Sequence, residues 1–300
     1  MRMYEDLINV VGKENLKLDE KMSAHTTLGI GGNAKVLIEP KNEKEINSIL
    51  SIAKEYNKKV YIIGRGSNIL VSDDGLDGIV IKIANKFSSI KIEGNSMIIK
   101  SGTPIAEVSK LAMKKSLKGI EFASGIPGTV GGAIVMNAGA YGGEMKDIVE
   151  WVTVMKEDGS IEKIYNQDMQ FSYRKSLLTK EDKWIVLEVK INLDNGDKEE
   201  ILNEMMTRNE KRVSSQPLDK NNCGSTFKRP KDNFAGKLIE DCGLKGFNHN
   251  GVEISSKHAG FIVNNGKSTA KDMLYVMEVA KKSVKEKFGI TLEEEVKIFK

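Results

Sequence analysis

Between Ser124 and Gly143 the chain reads Ser-Gly-Ile-Pro-Gly-Thr-Val-Gly-Gly-Ala-Ile-Val-Met-Asn-Ala-Gly-Ala-Tyr-Gly-Gly, and no other stretch limits its fold as strongly. A flexible glycine linker would be filled out with serine and other polar residues. Here the fillers include Ile126, Val130, Ile134 and Val135. The segment is therefore ordered. Small residues at this density let a flat ring and its diphosphate lie directly on the backbone. The candidate cofactor contacts are Ser124, Gly125, Ile126, Pro127, Gly128, Gly131, Gly132, Ala138 and Gly139.

A second glycine segment, Gly64-Arg65-Gly66-Ser67-Asn68, follows the apolar run Val60 to Ile63. A buried strand ending in such a loop presents successive backbone N–H groups, a nest for diphosphate oxygens, with Ser67 and Asn68 as further donors. Taken alone, the same residues also suit a plain strand-to-loop turn. Gly29-Ile30-Gly31-Gly32-Asn33-Ala34 formally matches G-x-G-x-x-[GA]. A dinucleotide fingerprint must open a helix, and here the pattern that follows is a strand. No G-x-x-x-x-G-K-[ST] loop occurs.

The remaining composition narrows the class. Lys and Arg total 46 against 42 Asp and Glu, a net +4 that does not suggest a nucleic-acid partner. Cys223 and Cys242 make no disulfide framework, and with His249 and His258 they lack zinc-type spacings, so no metal is expected. No apolar run approaches the roughly 20 residues of a membrane span, and the N-terminus lacks a signal-peptide core. A cytoplasmic monomer without a membrane partner is the expectation.

Periodicity predicts an N-terminal helix on Leu7, Ile8 and Val11, then a charged connector to about residue 22. Strands are expected over 34–39, 60–63 and 78–83, with a helix between the first two, capped by Asn42 and boxed by Glu45. Hairpins are expected about Gly94 and about Asp158-Gly159, a helix with Pro104 at its first position, and a strand over 184–193. The C-terminal part opens with a helix on Ile201, Met205 and Met206. It closes with a longer one begun by Thr269 and Asp272, faced by Leu274, Met277, Val284 and Phe288 and stopped by Gly289. The methionines read as core filling. The ranges are 1–24 for an N-terminal extension, 25–194 for a cofactor module (about 25–86 and 87–194) and 195–300 for a substrate domain.

The two loops resemble the flavin module of vanillyl-alcohol-oxidase-like flavoproteins. More closely, Thr26 to Gly32, both loops, Tyr173-Arg174-Lys175-Ser176, Cys223 to Pro230, Ala235 to Ile239, Ser256 to Phe261 and Glu293 to Lys297 together resemble the UDP-N-acetylenolpyruvoylglucosamine reductase family. The resemblance implies an α+β protein: a two-part FAD-binding module of the vanillyl-alcohol-oxidase/PCMH type, then a C-terminal α+β domain. It implies NADPH-dependent reduction, through FAD, of an enolpyruvyl ether on a UDP-sugar. Arg174, Ser225 and Glu295 take the catalytic positions. Tyr141, Tyr173, Lys228, Arg229 and His258 fall near the UDP-sugar, and Arg212 near the flavin. Neither glycine loop holds a histidine, so FAD is expected to be non-covalent.

The chemistry is consistent with that assignment. Charge developing beside the substrate carboxylate calls for a bidentate arginine and a nearby acid, and the carbanion carbon needs a proton from a positioned hydroxyl. Each residue alone also reads more plainly: Arg174 as a surface ion pair, Ser225 as turn chemistry, Glu295 as part of a charge run, His258 as a core or surface histidine. Arg174 and Ser225 stand 51 positions apart (225 − 174), as in the shorter subclass, so no lid tyrosine is assigned. A flavin oxidase of small hydroxy acids or sugars is the competing enzyme, and a non-catalytic flavin-binding protein the competing class.

Overall fold

A computed structural model describes residues 2–300. The chain forms two compact units, each drawn from three stretches. The first comprises the N-terminal stretch to Leu18, Val36–Arg65 and Asp77–Glu210; the second comprises Asp19–Lys35, Gly66–Leu76 and Lys211–Lys300.

The helix Arg2–Val11 buries Met3, Leu7 and Val11, the expected apolar face. The connector after it is not featureless, because Leu16–Lys21 is a strand. That strand opens a four-stranded sheet, followed in space by Asn33–Ile38, Leu76–Lys82 and Lys59–Ile63. Lys59–Ile63 runs parallel to Leu76–Lys82, with Lys59 opposite Gly78. A parallel pair needs a crossover. Asn42 begins the helix Glu43–Glu55, its Oδ1 accepting from Glu45 N–H at 3.0 Å. The box is skewed: the Glu45 carboxylate accepts from Lys41 N–H (2.7 Å) and the Asn42 side-chain amide (2.9 Å).

The largest sheet of the first unit is antiparallel throughout, in the order Ile161–Tyr165, Val149–Met155, Ile185–Asn192, Ser96–Lys100, Ile90–Glu93. Val152, Val154, Val189, Ile191, Met97 and Ile99 alternate into its core. Burial of each such aliphatic side chain favours folding by roughly 1.5–3 kcal/mol. The helices Ile105–Lys114 and Val130–Val135 contribute Ile105, Val108, Val130 and Ile134 to the same core. Pro104 is the N-cap of the first of these helices, one place earlier than expected. The short strand Asp194–Asn195, at the expected boundary between the cofactor module and the substrate domain, pairs with Leu117–Lys118 in the first unit.

In the second unit, Asn221–Ser225, Phe261–Asn264, Val252–Ile254 and Asn248–His249 form an antiparallel sheet in that order. The long helix Ala270–Phe288 has the expected ends. Thr269 and Asp272 form a reciprocal capping box, and Gly289 closes it with φ 71°. Its buried face is Met273, Val276, Met277, Ala280 and Val284, whereas Phe288 is exposed. Met206 on the helix Lys198–Ser215 is likewise exposed and fills no core, because only Ile201 of that helix is buried.

Candidate functional site

In the first unit the strand Lys59–Ile63 delivers Gly64 to the start of the helix Val130–Val135. A β-carbon added to Gly64 would lie 2.5 Å from Oγ1 of Thr129, so only glycine allows this approach. Thr129 Oγ1 in turn accepts from Gly132 N–H at 3.3 Å, capping the helix. Three backbone bonds lace the glycine segment to residues 101–105. Ile105 N–H donates to Gly128 O (3.1 Å), Val130 N–H to Thr103 O (2.9 Å) and Gly131 N–H to Ser101 O (2.8 Å). Gly131 is buried, but Gly132 is exposed, and a β-carbon there would meet nothing nearer than Thr129 Oγ1 at 3.6 Å. Ser124, Gly125, Ile126, Gly128, Ala138 and Gly139 are half-buried, while Pro127 and Arg65 are exposed. The rigid floor with an open glycine face fits a flat ring and diphosphate.

Arg174 lies in a four-residue turn closed by reciprocal backbone bonds between Ser172 and Lys175, at 3.0 and 3.1 Å. Its φ is 54°, a left-handed conformation that a side-chain-bearing residue adopts at a cost of about 1–2 kcal/mol. The guanidinium donates to Gly139 O (3.0 Å) and stands 5.0 Å from the Tyr173 ring centre. This brings Arg174, expected at a catalytic position, to the glycine segment itself. Tyr141 (φ 51°) and Tyr173 are exposed, and Arg208, paired with Glu204, stands 5.8 Å from the Tyr141 ring centre.

In the second unit, the segments that carry Ser225 and Glu295 come together despite the 70 positions between these residues (295 − 225). The segment after Ser225 pairs with the C-terminal segment: Glu295 N–H donates to Thr226 O (2.8 Å) and Lys228 N–H to Glu293 O (2.8 Å). The strand Ile69–Val71 runs parallel to Lys297–Phe299 beside this junction. Asn68, expected as a diphosphate donor, gives a side-chain N–H to Glu295 O (3.1 Å), and its carbonyl accepts from Lys297 N–H (3.0 Å). Burial pushes the Cys223 thiol up to about 12, and the Glu295 charge adds to the rise.

Ser225 is presented by a β-bulge. Asn222 pairs with Val263 and Ser225 with Phe261, so the serine strand spends one residue more than its partner. Gly224 takes up the bulge with φ 76°. An insertion of this kind re-aims the next side chain, and Ser225 is exposed where its neighbours Thr226 and Phe227 are buried.

Of the other expected contacts in this unit, Lys228 pairs with Glu293 (3.2 Å) and the Arg229 guanidinium stands 4.6 Å from the Phe234 ring centre. Burial holds the His258 imidazole below its ordinary 6.5, and its Nδ1 accepts from Gly260 N–H at 3.0 Å. Gly66 is buried; Ser67 and Arg212 are half-buried. Among the described residues no cluster of potential metal ligands occurs, and no helix is long and apolar enough to cross a membrane.

Comparison with known proteins covers both parts of the chain. Residues 34–165 match the FAD binding domain family, and residues 216–299 match the C-terminal domain of UDP-N-acetylenolpyruvoylglucosamine reductase. A reductase of that name from Clostridioides difficile (strain 630) is 46% identical over 296 residues, covering 99% of this chain and 97% of the relative. The chain belongs to the UDP-N-acetylenolpyruvoylglucosamine reductase family. The relative from Caldanaerobacter subterraneus subsp. tengcongensis is 45% identical over 296 residues, with the same coverage of 99% and 97%. The crystal structure of the Thermus caldophilus reductase matches with TM-score 0.82 and 34% identity, covering 95% of this chain and 98% of that one.

Family membership gives the α+β architecture: an FAD-binding module followed by a C-terminal α+β domain. Three residues stand out in the structure that the residue pattern did not mark. Thr129 is the contact of Gly64, Gly224 supplies the bulge, and Asn137, wholly buried within the glycine segment, bonds Ser172 O at 3.0 Å. A lone asparagine among apolar and glycine residues was the signal available for the last.

Proposed function

We propose that this chain, with non-covalently bound FAD and NADPH, reduces the enolpyruvyl ether of UDP-N-acetylenolpyruvoylglucosamine to the lactyl ether of UDP-N-acetylmuramate. Bound FAD supplies the two-electron chemistry, drawing on NADPH. Ser124, Gly125, Ile126, Pro127, Gly128, Gly131, Gly132, Ala138 and Gly139, with Gly64 and Arg65, would hold the cofactor.

The protein groups manage charge and protons. Arg174 grips the substrate carboxylate, its planar fork matching the two oxygens. A hydride added to the terminal carbon of the enolpyruvyl group would leave negative charge on the carbon bearing the ether and carboxylate. Ser225 gives that carbon its proton, and a proton from water restores the hydroxyl. Glu295 serves as a hydrogen-bonding partner beside the reacting group. Tyr141, Tyr173, Lys228, Arg229 and His258 contact the UDP-sugar, the two cations offsetting its diphosphate charge.

The observation that carries this reading is the junction of Ser225 with Glu295 through Thr226 O, behind a bulge that turns the serine outward. An oxidase would instead need a base to take a proton from its substrate. The cytoplasm is the proposed compartment and a monomer the proposed form. The purified chain, supplied with NADPH and the enolpyruvyl substrate without oxygen, should form UDP-N-acetylmuramate in amounts equal to the NADPH consumed. NADPH consumption that requires oxygen and leaves the substrate intact would refute the reading.

A further inference from the structure

We infer that Asn137 is a positioning residue for Arg174, holding the arginine's turn against the glycine segment so that the guanidinium is presented to the substrate. Asn137 has no exposed surface and a backbone φ of 40°. Its side-chain amide uses both donors and one of its two acceptor sites. One N–H bonds Ser172 O at 3.0 Å, the other bonds Glu144 Oε2 at 2.7 Å, and Oδ1 accepts from Lys146 N–H at 2.9 Å.

Ser172 is the first residue of the turn that carries Arg174. The turn and Ser176 after it are thus tied to the glycine segment at three points. Ser176 Oγ donates to Val135 O (2.9 Å), Asn137 Nδ2 to Ser172 O (3.0 Å) and Arg174 Nη2 to Gly139 O (3.0 Å). Arg174 has a left-handed backbone with no glycine to relieve it, and such a conformation persists only where the surroundings over-determine it. The Asn137 bond is the central tether. Its other two bonds lace residues 137–146 to each other and do not touch the turn.

This division of bonds supplies the test. Asn137→Asp keeps the acceptor for Lys146 N–H but turns both donors into acceptors, one facing Ser172 O and one facing Glu144. Adding Glu144→Gln restores a donor to the second contact and leaves the first broken. The inference rests on Arg174 gripping the substrate carboxylate, as proposed above. For Asn137→Asp we expect substrate affinity and reoxidation of the reduced flavin by substrate each to fall about tenfold or more, with FAD content and NADPH bleaching within about twofold of wild type. Adding Glu144→Gln should raise the melting temperature without restoring substrate affinity.

Recovery of both quantities together would assign Asn137 a purely structural role and overturn the inference. So would unchanged substrate affinity and reoxidation in Asn137→Asp, provided the wild type responds to substrate. A wild-type protein whose flavin the substrate fails to reoxidise overturns the functional reading instead. Asn137→Gly, which suits the positive φ while losing the tether, carries the same affinity and reoxidation test if Asn137→Asp does not fold.

Discussion

Gly64 abuts Thr129, so closely that a β-carbon on residue 64 would come within 2.5 Å of the threonine hydroxyl oxygen. Two segments far apart in sequence meet at this pair, and the floor proposed for the cofactor is built on their approach. Gly64→Ala forces Thr129 off its cap on Gly132 or pushes the loop away. Overpacking of this kind costs roughly 1–3 kcal/mol. The FAD dissociation constant should rise about tenfold or more, since each 1.4 kcal/mol is a factor of ten. Titration of the apoprotein with FAD measures it; unaltered affinity would place the cofactor elsewhere.

The bulge at Gly224 ties local conformation to the presentation of Ser225. Its φ of 76° is open to glycine, and no heavy atom outside its chain neighbours lies within 4 Å of an added β-carbon. The requirement is therefore conformational and not one of space. Gly224→Ala should destabilise by about 1–2 kcal/mol, and Gly224→Asn by less, because asparagine enters the left-handed region more readily. Urea unfolding of both variants tests the order. Equal losses would point to packing rather than φ.

His258 makes stability depend on pH in a stated direction. Burial lowers its folded value below the ordinary 6.5 of the unfolded chain. Between those values the unfolded chain binds a proton that the folded one does not. Its contribution is complete above 6.5 and is lost as pH falls through that interval. His258→Asn, which retains an acceptor for Gly260 N–H, should flatten the decline in melting temperature between about pH 7.5 and about pH 5.5. A slope identical to wild type would show that the imidazole is not the source.

Ser225→Ala separates proton donation from cofactor binding. Bleaching of the flavin by NADPH should stay near wild type, while reoxidation by substrate slows by about a hundredfold or more. Equal loss in both steps would mark Ser225 as a folding or cofactor residue.

Much of this was legible in the sequence because its causes are local. The Thr269/Asp272 box and the Gly289 stop are short-range signals, and both stand in the structure. The flavin reading rested on a dense glycine stretch, and the family on motifs spread along the chain. What escaped depends on distant partners. The parallel pairing of Ile69–Val71 with Lys297–Phe299 joins strands too short to show a period. Asn68 was expected as a ligand donor, and its bond to the Glu295 carbonyl, a partner 227 positions away, could not be read from the sequence. Phe288 fitted the apolar stripe by spacing, but the core beneath its helix ends at Val284.

The central claim concerns electrons and can be read from the flavin colour. The purified holoprotein, reduced with NADPH in the absence of oxygen, should regain its yellow absorbance on mixing with UDP-N-acetylenolpyruvoylglucosamine, and UDP-N-acetylmuramate should form at the same rate. Flavin that stays bleached with that substrate, and recovers only when oxygen is admitted, would contradict the account.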